Sequence, residues 1–184
     1  MCTENILSEI RLLNNIDKFL FFSDKDDETG IRDWIGPGFH FHIQNGNDLG
    51  DKMENAFRSI LKKYQQVIII GTDIPDLNKD IILDAYKKLD NNDFVIGPSN
   101  DGGYYLLGMK SLSIPIFEDI EWSMPTVLKS TIAKIDYFKK KYQLIECVTD
   151  VDTREDLLNW IKSGKNKPFI EIVKKQINYL NISS

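Results

Sequence analysis

Apolar positions along the chain follow two alternating periods, and the alternation predicts helices interleaved with strands. Ile6, Ile10 and Leu13 share one face and mark the end of a helix over Asn5–Leu13. Lys18–Phe22 is a short continuous apolar strand, followed by an Asp-rich polar loop over Ser23–Gly30. In Phe39–Gln44 the apolar residues Phe39, Phe41 and Ile43 alternate with polar ones, and Asn45-Gly46 then signals a turn. Asp48–Tyr64 is the clearest helix, with Leu49, Met53, Ala56, Phe57, Ile60, Leu61 and Tyr64 on one stripe.

Val67–Ile70 is apolar on both faces, which predicts a strand in the middle of a parallel sheet covered on both sides. A helix carrying Ile81, Ile82, Ala85, Tyr86 and Leu89 comes next, then a buried strand at Phe94–Gly97 and another at Tyr104–Met109. Pro125–Ile135 reads as a helix with Pro125 in its first turn, and Leu144–Val148 as a strand. Thr153 followed three residues later by Asp156 has the spacing of a capping box, and Phe169–Leu180 is a terminal amphipathic helix. Strand and helix alternate throughout, so the expected architecture is a three-layer α/β/α sandwich with a mainly parallel sheet. Without an internal repeat or a long linker, residues 1–184 are expected to form a single domain.

Composition narrows the function. At 184 residues and 42% hydrophobic, the chain can bury a substantial core. A net charge of −5 argues against broad nucleic-acid contact, whereas local acidic clusters suit a divalent cation. Cys2 and Cys147 show no metal spacing or disulfide framework, so a reduced, cytoplasmic protein is expected, with Cys147 a buried thiol in its apolar run. No apolar run approaches the ~20 residues of a membrane span.

Three segments could carry chemistry. Gly71-Thr72-Asp73-Ile74-Pro75 follows a buried strand, where open α/β sheets bind ligands. Asp73 there could hold Mg²⁺ or Mn²⁺ that bridges diphosphate oxygens, or simply cap the following helix. Gly97–Tyr105 contains Asp101-Gly102-Gly103, a polar loop between two strands that could meet an anion or sugar, or be an ordinary tight turn. In Val148–Leu157, Asp150 and Asp152 flank Val151, and either could complete a metal shell begun by Asp73, or Asp152 could cap a helix. Trp122 is expected in the core, while His40 and His42 belong to a solvated strand face and Lys139–Lys141 to a solvated helix end.

Taken together, GTDIPDL, GPSNDGGYYLLGM and DVDTREDL, with Leu49–Met53, Ala56-Phe57 and Phe117–Ser123, resemble a bacterial family of glycosyltransferase-A-like proteins. That family belongs to the nucleotide-diphospho-sugar transferase superfamily, and some members are named arsenosugar-biosynthesis glycosyltransferases. The resemblance runs from about Thr3 to Trp160. More distantly, the pattern is similar to molybdenum-cofactor and phospholactate guanylyltransferases.

The resemblance implies a metal-dependent glycosyltransferase with a nucleotide-diphospho-sugar donor and a small-molecule acceptor. Asp73 would be the first Mg²⁺ or Mn²⁺ ligand and Asp152 or Asp150 the second, with Asp152 preferred. Gly71, Thr72, Gly102 and Gly103 would line the nucleotide and sugar site, and Asp101 would be the candidate base for the acceptor. A guanylyltransferase-like nucleotidyltransferase releasing pyrophosphate is the alternative. It is favoured by the single acid at the strand end, where metal-dependent glycosyltransferases of this fold carry D-x-D. Relatives begin with a further central strand and a basic nucleotide-binding loop that this sequence lacks. That difference implies an open sheet edge and association with another chain, or a non-catalytic relative.

Overall fold

A computed structural model describes residues 2–151 and 153–182, which form seven helices and six strands. The chain opens with α1 (Cys2–Arg11) and β1 (Phe19–Phe22). Next is α2 (Glu28–Ile35), a helix where the sequence reads mostly as loop. Asp27 caps it by accepting from the Thr29 N–H at 3.1 Å, and Glu28 pairs with Arg32 one turn later at 2.7 Å. Local polar contacts therefore make this helix. Of its own residues only Ile35 is buried, which is too little to show as an apolar stripe.

β2 (His40–Ile43) pairs in parallel with β1, in register from Phe19↔His40 to Phe22↔Ile43. His40 stacks on Phe19 with ring centroids 4.9 Å apart and His42 on Phe21 at 5.2 Å, and both histidines are exposed. α3 (Leu49–Ile60) is capped by Asp48, which accepts from the Asp51 N–H at 2.8 Å. β3 (Val67–Ile70), α4 (Lys79–Leu89), β4 (Phe94–Pro98) and β5 (Tyr104–Met109) follow. The chain continues through α5 (Val127–Tyr137), β6 (Tyr142–Leu144), α6 (Arg154–Ser163) and α7 (Lys167–Ile182).

The strands form two sheets: β1-β2, and a four-stranded sheet in the order β3-β5-β4-β6. Within the larger sheet β3, β4 and β6 point one way and β5 runs against them. Alternation along these strands builds the layers. Val67, Ile69, Phe94 and Ile96 pack against Phe57 and Ile60 of α3 and Ile135 of α5. Ile68, Ile70 and Val95 pack on the other face against Ile6 of α1 and Ile81, Ile82 and Leu89 of α4. Each fully buried side chain of this kind contributes about 1.5–3 kcal/mol. A smaller cluster of Trp160, Phe169, Ile170 and Val173 holds α6 to α7 and gathers Cys2 and Val151 at its margin.

Three expectations need correction. Val67–Ile70 is covered on both faces as its composition requires, but β3 ends its sheet instead of lying in the middle, and its one neighbour, β5, is antiparallel. A doubly apolar strand reports covered faces and carries no information about how many edges are paired. The last strand lies at Tyr142–Leu144, earlier than the apolar run suggests, because β4 is matched in register from Phe94↔Tyr142 to Ile96↔Leu144. Beyond it the chain stays beside β4 through Ile145 N–H to Ile96 O (3.0 Å) and Val148 N–H to Pro98 O (3.1 Å). Cys147 falls in that irregular stretch and is exposed, not buried, with its Sγ donating to Asn100 Oδ1 at 3.1 Å. Among the described residues, no helix is long and apolar enough to cross a membrane.

Candidate functional site

The site begins where β3 stops. Gly71 N–H donates to Tyr105 O at 2.8 Å, the last bond of the β3–β5 ladder, and Thr72 and Asp73 emerge exposed beyond it. Asp73 Oδ1 lies 2.9 Å from where a Cβ on Gly71 would stand, so the carboxylate folds back over the glycine. Asp73 does not cap the following helix. That role belongs to Asn78, which accepts from the Asp80 and Ile81 N–H groups at 3.0 and 3.1 Å. The rest of the loop is anchored from outside: Pro75 O accepts from Asn5 Nδ2 (3.3 Å) and Asn166 Nδ2 (2.9 Å), and Trp160 Nε1 donates to Asp76 Oδ1 (2.8 Å).

The third acidic segment comes to the first. Val151 N–H donates to the Asp73 carbonyl at 3.2 Å, which places the half-buried Asp150 beside the β3 loop. Asp152 lies outside the described residues. The cap of α6 is Thr153, in a reciprocal capping box: its Oγ1 accepts from Asp156 N–H at 3.1 Å while its own N–H donates to Asp156 Oδ2 at 2.9 Å.

The Asp101 loop is a compact turn that its own aspartate holds. Asp101 Oδ1 accepts from the Ser99 hydroxyl and, at 2.8 Å, from Gly103 N–H. Gly102 has φ +91, and a Cβ there would stand 2.1 Å from Pro125 O, so the backbone conformation and the close approach of the α5 entry both demand glycine. Gly102 O in turn accepts from Leu128 N–H at 3.0 Å. Asn100 ties this loop to the third segment through Asn100 N–H to Val148 O (3.2 Å) and Asn100 Nδ2 to Thr149 Oγ1 (2.8 Å).

These loops meet at a cavity of about 900 Å³, whose walls include Gly71, Thr72, Asp73, Asp101, Gly103 and Asp150. Sequence reasoning assigned no role to Lys52 of α3, which lines the same cavity. The available signal was its place between Leu49 and Met53, a cation at the border of an apolar stripe. Lys18 also lines the cavity, but its ammonium donates to Leu13 O (2.8 Å) and Ile16 O (3.2 Å). Trp122 is both wall and core. It borders the cavity, lies over Gly50 with a Cβ there only 2.4 Å from its Nε1, and packs 6.3 Å from Phe117.

Electrostatics follow burial. The Cys2 thiol is raised chiefly by burial, and the negative charge of Asp73 adds to the rise. Tyr105 is raised strongly by burial, with Glu146, Cys147 and Asp84 adding to it, and its hydroxyl donates to Glu146 O at 3.2 Å. Burial raises Tyr104 as well.

The family profile described as "Uncharacterized protein conserved in bacteria (DUF2064)" matches residues 6–124, a stretch that contains the Asp73 and Asp101 loops. The chain belongs to this family. Its fold is that of the nucleotide-diphospho-sugar transferases. A crystal structure of a candidate nucleotide-diphospho-sugar transferase from Desulfovibrio desulfuricans G20 superposes with a TM-score of 0.88 at 28% identity, covering 97% of this chain and 81% of that one. A 4-diphosphocytidyl-2C-methyl-D-erythritol synthase from Anaerococcus prevotii DSM 20548 shares the fold at TM-score 0.63 and 14% identity, covering 84% of each chain. In sequence, 63 residues are 43% identical to 2-phospho-L-lactate guanylyltransferase of Methanocaldococcus jannaschii, a match over 34% of this chain and 27% of that protein's length.

Proposed function

We propose that this family member is a transferase that acts on a nucleotide-diphospho-sugar, with the donor's diphosphate bound at the Asp73 end of the cavity. The observation that carries the reading is the bond from Val151 N–H to Asp73 O, which brings Asp150 to the strand-end aspartate. Asp73 and Asp150 both line the cavity, and Mg²⁺ or Mn²⁺ takes one or two carboxylates and fills its remaining positions with waters and substrate phosphates. Asp73 would hold the ion, with Asp150 and Asp152 as the further candidates. Such an ion, when bound, offsets negative charge on the leaving diphosphate. Lys52 faces the same cavity and would supply a second positive charge. Gly71, Thr72 and Gly103 would shape the walls against nucleotide and sugar, while Gly102 lies outside the cavity lining, packed against Pro125 O, and Asp101, oriented by its turn, would accept the proton of the acceptor hydroxyl.

A second reading is a nucleotidyltransferase that joins an NTP to a phosphorylated or carboxylated substrate and releases pyrophosphate. The segment 43% identical to a guanylyltransferase favours it. So does the single acid, Asp73, at the end of β3.

The two are separated by products. Purified chain is incubated with sugar nucleotides or NTPs, Mn²⁺ and candidate acceptors, and release of nucleoside diphosphate or pyrophosphate is measured. Nucleoside diphosphate alone supports the first reading and pyrophosphate alone the second. Folded protein that binds no nucleotide across the panel, with or without Mn²⁺, would overturn both and leave a non-catalytic relative.

A further inference from the structure

A second, smaller cavity of about 250 Å³ lies between α3 and the β1–β2 sheet. Phe21, Lys52 and Ala56 line both cavities and so divide this groove from the larger one. The chain as a whole carries a net charge of −5, yet no acidic residue lines the groove. Arg58 of α3 and Lys62, two residues beyond its end, do. Arg58 pairs with Glu54, which leaves part of its five-donor fork unused. Among the described residues, Lys62 pairs with no carboxylate.

The sheet side of the groove supplies directed donors. His42 stacks on Phe21 with centroids 5.2 Å apart and planes 20° apart, which fixes its ring at that wall. An imidazole keeps at least one N–H to give in either protonation state. On β2, His40 N–H donates to Lys18 O and Gln44 N–H to Phe22 O, both at 2.7 Å. The parallel ladder alternates, so the residue between, Ile43, turns its N–H and C=O away from β1 toward the open edge, and it too lines the groove. Asn55 Nδ2 donates to Asn45 O at 2.9 Å and ties the helix side to the strand side.

Cations and N–H groups on both sides, with no carboxylate between them, specify an anion. Pockets for whole organic ligands run to about 300–1,000 Å³. This groove is smaller, and its donors converge from several directions, as the tetrahedral oxygens of a phosphate require. We propose that the groove between β2 and α3 binds a phosphate dianion, free or as the monoester of a small hydroxylated molecule. Arg58 and Lys62 supply the opposing charge, and His42 and the Ile43 N–H the directed bonds. The Ile43 C=O can take a hydroxyl of an ester. The site is distinct from that of the proposed reaction, and its test uses neither nucleotide nor metal.

The experiment is a titration of the ¹⁵N-labelled 184-residue chain with inorganic phosphate and, separately, with glucose 6-phosphate, at constant ionic strength and without metal. We expect saturable, one-to-one shifts at the amides of His42, Ile43, Asn55, Ser59 and Lys62, with affinity on the order of millimolar, and little change at Thr72, Asp73 and Gly103. Lys62→Glu should abolish the response and Arg58→Ala weaken it by about fivefold or more. Both positions are exposed, so the variants should keep the parent's fold, which their own amide spectra check. Tighter binding of the ester would assign the groove to a phosphorylated molecule, and equal binding to phosphate itself. Shifts confined to Thr72, Asp73 and Gly103, no saturable response to either anion, or unchanged affinity in folded Lys62→Glu would overturn the proposal.

Discussion

Val151 N–H and the Asp73 carbonyl, 3.2 Å apart, join the loop after β3 to the segment before α6. The bond is between backbones, so substituting either neighbouring carboxylate leaves it in place. Asp73→Asn and Asp150→Asn should therefore keep these two segments joined. Asp73→Asn should lose metal-dependent nucleotide binding and transferase activity by on the order of 10²-fold or more, the scale of removing one charge-stabilising group from an active site. Calorimetric titration with Mn²⁺ and nucleotide checks it, and unchanged binding by folded Asp73→Asn would show that the metal is held elsewhere.

Asp101 separates shape from chemistry. Its Oδ1 accepts from Ser99 and Gly103, and the amide oxygen of Asn can do the same. Asp101→Asn should keep the parent's stability and lower kcat by about 10²–10⁴-fold if the carboxylate takes the acceptor's proton. Asp101→Ala should lose stability as well, since the Gly103 N–H then loses its acceptor. Full activity in Asp101→Asn would reduce this residue to a turn former.

Gly102→Ala places a methyl group where Pro125 O already sits and demands φ +91 of a residue with a Cβ. We expect a loss of about 1–3 kcal/mol in urea unfolding, the usual cost of a residue held in such a backbone region.

Trp160→Phe removes the donor to Asp76 Oδ1, and Asp76 Oδ2 is already buried with no hydrogen-bond partner among the described residues. The cost should be about 1–3 kcal/mol, that of leaving a buried acceptor unmet. Because this contact ties α6 to the loop carrying Asp73, limited proteolysis should cut the variant in α6 and α7 sooner than the parent.

Tyr105 gives the fold an alkaline limit. Its folded pKa is raised above the unfolded value of about 10, chiefly by burial. Its contribution to stability is therefore complete below pH ~10 and is lost as pH rises from there through the folded pKa. Unfolding free energy should hold up to about pH 10 and fall progressively as pH rises above it. Tyr105→Phe should flatten that fall while costing about 1 kcal/mol at neutral pH for the lost bond to Glu146 O.

By itself the sequence determined which stretches become helix or strand wherever side chains bury with a regular period. The α3 stripe, the doubly apolar β3 and β4, and the Thr153–Asp156 capping box all express neighbours close in the chain. It also located the polar loops at strand ends, Thr72-Asp73 and Asp101–Gly103, because apolar runs stop there. Tertiary structure alone decided the rest. It put the open edge that the resemblance implied at β3, since side-chain pattern does not mark which strand's hydrogen-bonding edge is left over. It gave the cap of α4 to Asn78 instead of Asp73 and turned Cys147 outward, because the register of β4 against β6 fixes where the last strand ends. It also brought Asp150 and Lys52 to the cavity of Asp73, a meeting that depends on packing between elements far apart in the chain.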